Sequence, residues 1–280
     1  MTTTEPSESF QIPLEAAEAY ETSFVPTFFA QWAPILCDAA GLSEGTGITS
    51  SQRVLDVACG TGIVARTAAE RVGAARVTGV DLNEAMLTVA RRVRADIDWR
   101  KGDAAALPLP DGSFDVVVCQ MALMFFPDRI AALREMARVA ARSGTVAVLV
   151  PASLDVQPAY GPFVDMAARH AGSEARSLLT TYFACGDTGE LTDLFGQAGL
   201  QVTATDTHSG PARFPSIDAL VTTEVQSTPL GERISDEVYD RIRQGAREVL
   251  APFTTAGGAL EAPFEVHVVA AVRAERFSRS

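Results

Sequence analysis

Three carboxylates stand where short apolar runs end, and their spacing is the most informative chemistry in the chain. Asp56 lies inside VLDVACGTG (54–62), Asp81 closes the next run in VTGVDLNEAML, and Asp103 follows a third in GDAAALPLPDGSFDVVV. Gly60 and Gly62 let a backbone turn come close to a ligand, and the N–H groups at the start of a following helix suit a carboxylate or pyrophosphate. An acidic residue at the position of Asp81 is placed to accept hydrogen bonds from both hydroxyls of an adenosine ribose. Asp103 could accept from an exocyclic adenine amine while Ala104 donates through its backbone. One sheet edge would then hold three parts of a nucleoside.

Such an edge requires parallel strands separated by helices, and the hydrophobic pattern supplies them. From Arg53 to Pro151, β-branched runs (53–58, 76–80, 97–100, 114–119 and 144–150) alternate with stretches of helical period (63–72, 84–95 and 129–141). Leu133, Met136, Ala137 and Ala140 form one apolar stripe of the third. Before this core, Leu14 to Leu42 carries Tyr20, Phe24, Phe28, Phe29, Trp32 and Leu36 at helical spacing, with Pro26 and Pro34 expected to interrupt it into two or three short helices. After the core, 159–172, 188–198 and 235–250 read as helices, and 200–207 and 264–272 as strands. The fold class is α/β: a doubly wound seven-stranded sheet, Rossmann-like, with its last strand antiparallel and a helical cap. No repeat or Gly/Ser linker interrupts it, so 1–280 reads as one domain with three additions: an N-terminal helical lid over 10–45 and cap insertions over 152–188 and 209–263.

On VLDVACGTG, Asp81, Gly102-Asp103 and Phe114-Asp115, the chain resembles the class I S-adenosylmethionine-dependent methyltransferases, particularly the small-molecule group containing the quinone C-methyltransferases. The resemblance spans about 53–151. It implies that Asp56 orders the loop and the methionine amine, and that Ala58, Gly60 and Gly62 lie against the methionine part of the cofactor. It further implies that Asp81 and Leu82 hold the ribose, Met86 belongs to the same pocket, Asp103 and Ala104 hold the adenine, and Gln120 borders the sulfonium. Relatives fold an aromatic lid over the cofactor, which makes Tyr20 a candidate contact and Phe24, Phe28 and Trp32 packing residues. They also join the last two strands by a short hairpin, so the long 209–263 segment reads as a substrate enclosure. Together the additions would build a closed apolar chamber over the sheet's carboxyl edge.

A nicotinamide dehydrogenase is the rival for the same loop, because Gly60, Gly62 and Ala65 fit GxGxxA and Asp81 follows at a suitable distance. Asp56 is polar where a dinucleotide strand is usually apolar. The short-chain dehydrogenase site also needs a Tyr four residues before a Lys, and the only lysine, Lys101, has Ile97 there. Nucleic-acid methyltransferases of this fold carry an Asn/Asp-Pro-Pro-aromatic run after the fourth strand; here 119–126 reads CQMALMFF. That run suits an apolar substrate and makes Met124 and Phe125 candidate substrate contacts. A protein that keeps the fold and pocket but acts as a cyclase or ligand-binding module is the alternative function.

Charge agrees with this. Lys+Arg 23 against Asp+Glu 35 gives a net charge of −12, which repels a phosphate backbone, and the first cation in the chain is Arg53. No apolar run approaches the ~18 residues of a membrane span, and the first residues lack a signal-peptide pattern, so the expected place of action is the cytoplasm. The expected partner is an apolar small molecule, with no nucleic acid and no membrane insertion; a homodimer is compatible. Cys37, Cys59, Cys119 and Cys185 have no CxxC spacing, and neither a disulfide framework nor a metal site is expected. An arsenic methyltransferase would need several cysteines converging on the metalloid.

No residue earns a catalytic assignment. His208 precedes Ser209-Gly210-Pro211, a turn expected near the substrate mouth, and is the best histidine candidate. His267 alternates with valines on the last strand and reads as structural, and His170 sits in the first cap insertion. Glu224 and Asp165 could also reach the pocket, but charge on a helix usually marks a solvated face. Such an absence is chemically acceptable, because the cofactor carries its own leaving group and a base is needed only for a protonated nucleophile.

Overall fold

The computed structural model describes residues 12–42, 51–226 and 228–274. Its contacts divide into two compact units: one contains the described residues of 1–149, 192–204 and 269–280, the other those of 150–191 and 205–268. The expected cap insertions, 152–188 and 209–263, supply nearly all of the second. Of the expected N-terminal lid, residues 10–11 and 43–45 lie outside the described residues.

The first unit opens with α1 (Leu14–Ala19), a wide π-helical segment at Tyr20–Phe29 and α2 (Trp32–Ala39). Neither proline breaks a helix as expected. Pro26 is accommodated inside the π segment, where the ladder opens to an i−5 bond from the Ala30 N–H to the Val25 carbonyl (2.8 Å). Pro34 occupies the first turn of α2, whose N–H groups need no helical partner. The break comes instead at Ala30–Gln31.

Then follow β1 (Val54–Val57), α3 (Ile63–Val72), β2 (Val77–Asp81), α4 (Glu84–Val93), β3 (Asp98–Lys101), β4 (Phe114–Gln120), α5 (Arg129–Val139) and β5 (Ala140–Pro151). Polar side chains start the helices: Asn83 accepts from the Ala85 and Met86 N–H groups ahead of α4, and Asp128 from the Ala131 N–H ahead of α5. The stripe Leu133, Met136, Ala137 and Ala140 is buried as expected, and Trp32, Leu36, Leu55, Leu87 and Leu149 lie in the same unit's core.

The sheet has seven strands in the order β3-β2-β1-β4-β5-β7-β6, where β6 is Leu200–Phe214 and β7 Leu260–Arg273. Strands β1 to β5 pair in parallel. Bonds linking 199 to 274 and 203 to 270 show β7 running against β6. The strand order therefore reverses between β1 and β4, the position where ligands of open α/β sheets gather.

In the second unit, α6 (Tyr160–Leu179) is kinked at Gly172 (φ 82°), the residue at which the sequence pattern ended its helix. α7 (Thr188–Gln197) belongs to both units. The connection from β6 to β7 holds α8 (Ile217–Val221), a π-helical turn at Thr222–Gln226 and α9 (Asp236–Val249), whose cap Ser235 accepts from the Val238 N–H. Among the described residues no helix is long and apolar enough to cross a membrane.

Candidate active site

The loop after β1 alternates through left-handed backbone at Ala58 (φ 55°), Gly60 (φ 55°) and Gly62 (φ 90°). Only two non-glycine residues among those described have positive φ, Ala58 and Met121 (φ 54°). They follow β1 and β4 directly, the two strands at the order reversal. Left-handed backbone costs a residue bearing a Cβ about 1–2 kcal/mol. Strain of this kind persists where the surroundings impose it and gathers at functional sites.

The two glycines answer to different neighbours. A Cβ on Gly62 would stand 2.2 Å from Cη2 of Trp99, whose indole N–H donates to the Arg94 carbonyl at 2.8 Å. Gly62 is therefore small because the β3 tryptophan fills the space, and not because a ligand does. A Cβ on Gly60 would meet only Tyr20 Cε1, at 3.9 Å. Of the two glycines that the sequence reads alike, Gly60 is the open one.

Asp56 is buried, and its Oδ2 accepts from the Ala65 N–H at 2.9 Å. Gly62 precedes α3 without a side-chain cap, so a carboxylate reaching from the strand satisfies one of that helix's free N–H groups. Burial pushes the Asp56 carboxyl up to about 8 despite that bond. Asp81 divides its carboxylate between two loops, accepting from Gly60 N–H through Oδ2 and from Asn83 N–H through Oδ1, both at 2.8 Å. Burial raises it too, opposed by the backbone donors Asn83, Gly60 and Leu82. Asp103 is exposed and closes a short turn onto the Ala105 N–H (2.9 Å). Beside these, Leu82 is 39% exposed while Ala104 and Met86 are half-buried.

Gln120, the last residue of β4, donates from Nε2 to the Phe29 carbonyl (3.1 Å), while its Oε1 is buried without a partner. Tyr20 is half-buried against Phe29 and Phe24, and burial, aided by Asp81, Glu21 and Asp56, raises its phenol well above the ordinary value. Two residues absent from the sequence-based set join them. Glu21 pairs with Arg66 at 2.9 Å, leaving Oε2 buried and unpartnered, and the Thr61 hydroxyl is buried and unpartnered as well. Arg66 also donates to the Thr61 carbonyl (3.1 Å), tying the π segment, the glycine loop and α3 together. The Glu21–Arg66 pairing joins distant parts of the chain and left no local signal. Asn83, the cap, was readable in principle from an Asn placed before a helical run.

Met124 and Phe125, taken together as candidate substrate contacts, lie in different environments: Met124 is 3% exposed and Phe125 43%. His208 does not precede a turn, because β6 continues to Phe214 through Ser209, Gly210 and Pro211; the histidine is a half-buried strand residue. His267 is structural in its contacts, its Nδ1 lying 2.8 Å from the Thr207 hydroxyl, and burial lowers its pKa. His170 is exposed, and Asp165 is paired with Arg176. Glu224 departs from the solvated face expected of it: it is half-buried and accepts from the Tyr160 hydroxyl at 3.3 Å. All four cysteines are buried, and burial pushes Cys37 up to about 12. Among the described residues no three His, Cys, Asp or Glu side chains group as metal ligands.

Residues 55–148 match the family model for a methyltransferase domain. The chain is 39% identical over 133 residues to the demethylmenaquinone methyltransferase of Renibacterium salmoninarum, covering 48% of this chain and 51% of that one. It is 40% identical over 102 residues to the enzyme of the same name from Thermus thermophilus, covering 35% and 46%. The chain thus spans about half the length of the curated relatives it matches. Among solved structures it shares its fold with the YcgJ protein of Bacillus subtilis (TM-score 0.56, 20% identity, 85% of this chain and 99% of that one). Phosphoethanolamine N-methyltransferase 2 of Haemonchus contortus, solved with S-adenosyl-L-methionine, also shares it (0.56, 19%, 94% and 58%), as does the cyclase SpnF (0.52, 17%, 88% and 81%). The glycine turn, Asp56, Asp81 and Asp103 all lie inside the segment 55–148 that matches a methyltransferase domain, and through that segment the chain resembles the S-adenosylmethionine-dependent methyltransferases.

Proposed function

We propose that the protein transfers a methyl group from S-adenosylmethionine to an oxygen, nitrogen or carbon nucleophile on a hydrophobic small molecule, in cytoplasmic biosynthesis. The observation that carries this reading is the pairing of strained backbone at Ala58 and Met121 with unpartnered buried oxygens on Glu21, Thr61 and Gln120. Protein interiors rarely leave such atoms unsatisfied, and a polar ligand with an amine and hydroxyls would satisfy them. The residues present therefore fit the cofactor. Asp56, Ala58 and Gly60 would hold its amino-acid end, Asp81, Leu82 and Met86 its ribose, and Asp103 and Ala104 its base. Gln120 and Tyr20 would border the reacting end. The cofactor supplies an activated methyl group on a positively charged sulfur. The chain's part is to orient it, keep water away and hold the acceptor, a task for which the cap insertions 152–188 and 209–263 are the proposed selectors. No metal is assigned to the reaction; a homodimer is compatible with it, and sedimentation measures that association.

Calorimetry tests the cofactor site directly. The protein should bind S-adenosylmethionine and S-adenosylhomocysteine. Asp81→Ala should weaken both by about 1–3 kcal/mol, the range for leaving polar partners unpaired. Folded protein that binds neither ends the proposal, and production of S-adenosylhomocysteine with an apolar acceptor separates transfer from mere binding.

A further inference from the structure

The connection from β3 to β4, residues 102–113, is a crossover between parallel strands that holds no helix of its own. Crossovers of this kind are usually helical, and a helix satisfies its own backbone groups. Here two side chains of α5 take over that task. Glu135 accepts from the Leu107 N–H through Oε2 (2.8 Å), while Arg138 donates to the Leu107 carbonyl (3.0 Å) and the Leu109 carbonyl (2.8 Å). The guanidinium is itself fixed. Its Nε and Nη2 fork onto the two Glu135 oxygens, both at 2.7 Å, and Nη1 also reaches Asp111 at 2.6 Å. The Gly112 N–H closes the series on the Arg138 carbonyl (2.9 Å).

This grip begins one residue beyond the turn that carries Asp103 and Ala104. The turn is narrow: Asp103 and Ala106 face each other in an antiparallel bridge, and Asp103 accepts from the Ala106 N–H through its carbonyl (3.0 Å) and from the Ala105 N–H through Oδ1 (2.9 Å). Its Oδ2 makes no bond among the described residues. On the other side of the turn, the Gly102 N–H donates to the Asp81 carbonyl (3.0 Å), and a Cβ on Gly102 would stand 2.7 Å from Cδ of Pro108. The two ends of the turn therefore pack on each other, one set by β2 and the other by α5. Leu107 and Leu109 are buried while Asp103 is exposed, so an exposed carboxylate stands on an immobilised base. A displacement of Leu107 is a displacement of the turn.

We propose that Glu135 and Arg138 are positioning residues for recognition of the cofactor's base: by holding Leu107 they set where Asp103 and Ala104 meet the adenine. The inference rests on the methyl-transfer reading, in which Asp103 accepts from the exocyclic amine and the Ala104 backbone donates to the ring beside it. The pair acts through the turn and touches no reacting atom.

The experiment is calorimetric titration of the full chain with S-adenosylhomocysteine and with S-inosylhomocysteine, whose base presents an oxygen in place of the amine and an N–H in place of the ring acceptor. Wild-type protein should bind the adenosyl form at least about tenfold more tightly, because the inosyl base leaves both polar groups of the turn unpaired. Arg138→Met keeps an unbranched stem and removes the donors. It should reduce that preference to about threefold or less while leaving S-inosylhomocysteine within about threefold of its wild-type affinity. Glu135→Gln keeps an acceptor for Leu107 but loses the charge that fixes the guanidinium, and its preference should fall between the two. A merely structural role would weaken both ligands alike and preserve their ratio. An unchanged ratio in the variants, or an equal loss of both ligands, overturns the proposal, and Glu135→Gln decides if Arg138→Met does not fold. A wild type that binds both ligands equally overturns it too, with the methyl-transfer reading intact. A wild type that binds neither overturns that reading and the proposal with it.

Discussion

Replacing Gly62 with alanine tests whether the glycine loop is shaped by the protein's own packing. Two costs add. The backbone at φ 90° lies in the left-handed region, which costs an alanine about 1–2 kcal/mol. The new methyl group would also stand 2.2, 2.8 and 3.1 Å from three atoms of the Trp99 six-membered ring. That ring is anchored through its N–H to the Arg94 carbonyl, and forcing extra atoms into such packing costs about 1–3 kcal/mol. Gly62→Ala should therefore destabilise by about 2–5 kcal/mol. Gly60→Ala provides the internal control, because its Cβ meets only Tyr20 at 3.9 Å and carries the backbone cost alone, about 1–2 kcal/mol. Both tryptophans of the chain, Trp32 and Trp99, lie in the first unit, so urea denaturation followed by fluorescence reports on that unit. Trp99→Phe should restore part of the loss in Gly62→Ala, with a coupling of about 1–3 kcal/mol in the double-mutant cycle. Equal destabilisation at the two glycines, or a coupling near zero, would refute the packing argument and return Gly62 to a ligand-facing role.

The pH dependence of stability follows from Asp56. Folding raises its pKa from 3.8 to about 8, so the folded state keeps a proton that the unfolded chain gives up. Its contribution is complete below about pH 4 and is lost as the pH rises through about 8. Asp56→Asn should flatten that decline in urea titrations read by tryptophan fluorescence, and a decline unchanged in the variant would locate the proton elsewhere. Met124→Ala should cost about 2–5 kcal/mol as a buried truncation. Phe125→Ala, exposed on one side, should change stability by no more than about 1 kcal/mol and act, if at all, on acceptor preference. Methyl transfer should persist in EDTA; loss of turnover that magnesium restores would contradict the metal-free reading.

The strands and helices around the site were legible because each is encoded within a few residues. Ile63–Val72 is a helix with the bounds its periodicity gives, and all seven strands lie where β-branched runs place them. What could not be read is what depends on pairs far apart in the chain. GxG looks the same whether a ligand or Trp99 fills the space beside Gly62, and only the fold brings β3 there. Asp56 is legible as a residue that orders the loop, and its bond to Ala65 fits that; Asp81 reads from the sequence only as a ribose contact, whereas its bonds to Gly60 and Asn83 also hold the loop in shape. His208 was misjudged because Ser-Gly-Pro usually ends a strand, yet the antiparallel partner β7 carries β6 through it. Glu224 was read as solvated because a helical wheel does not show which face a later element covers.

The widened turn that accommodates Pro26 also sets the angular phase of everything after it. A π turn holds more residues than an α turn, so side chains beyond the ten-residue segment Tyr20–Phe29 are out of phase with an unbroken α-helix. Tyr20, Phe24 and Phe28 fall on one line only in a helical projection that ignores this offset. In the folded chain the Tyr20 ring lies nearer to Phe29, 5.0 Å away, than to Phe24 at 6.1 Å. Deleting a residue between Thr22 and Pro26 would shorten the segment and change that phase again. It would also turn the phenol of Tyr20 away from Gly60 unless Trp32 and Leu36 gave up their places in the core.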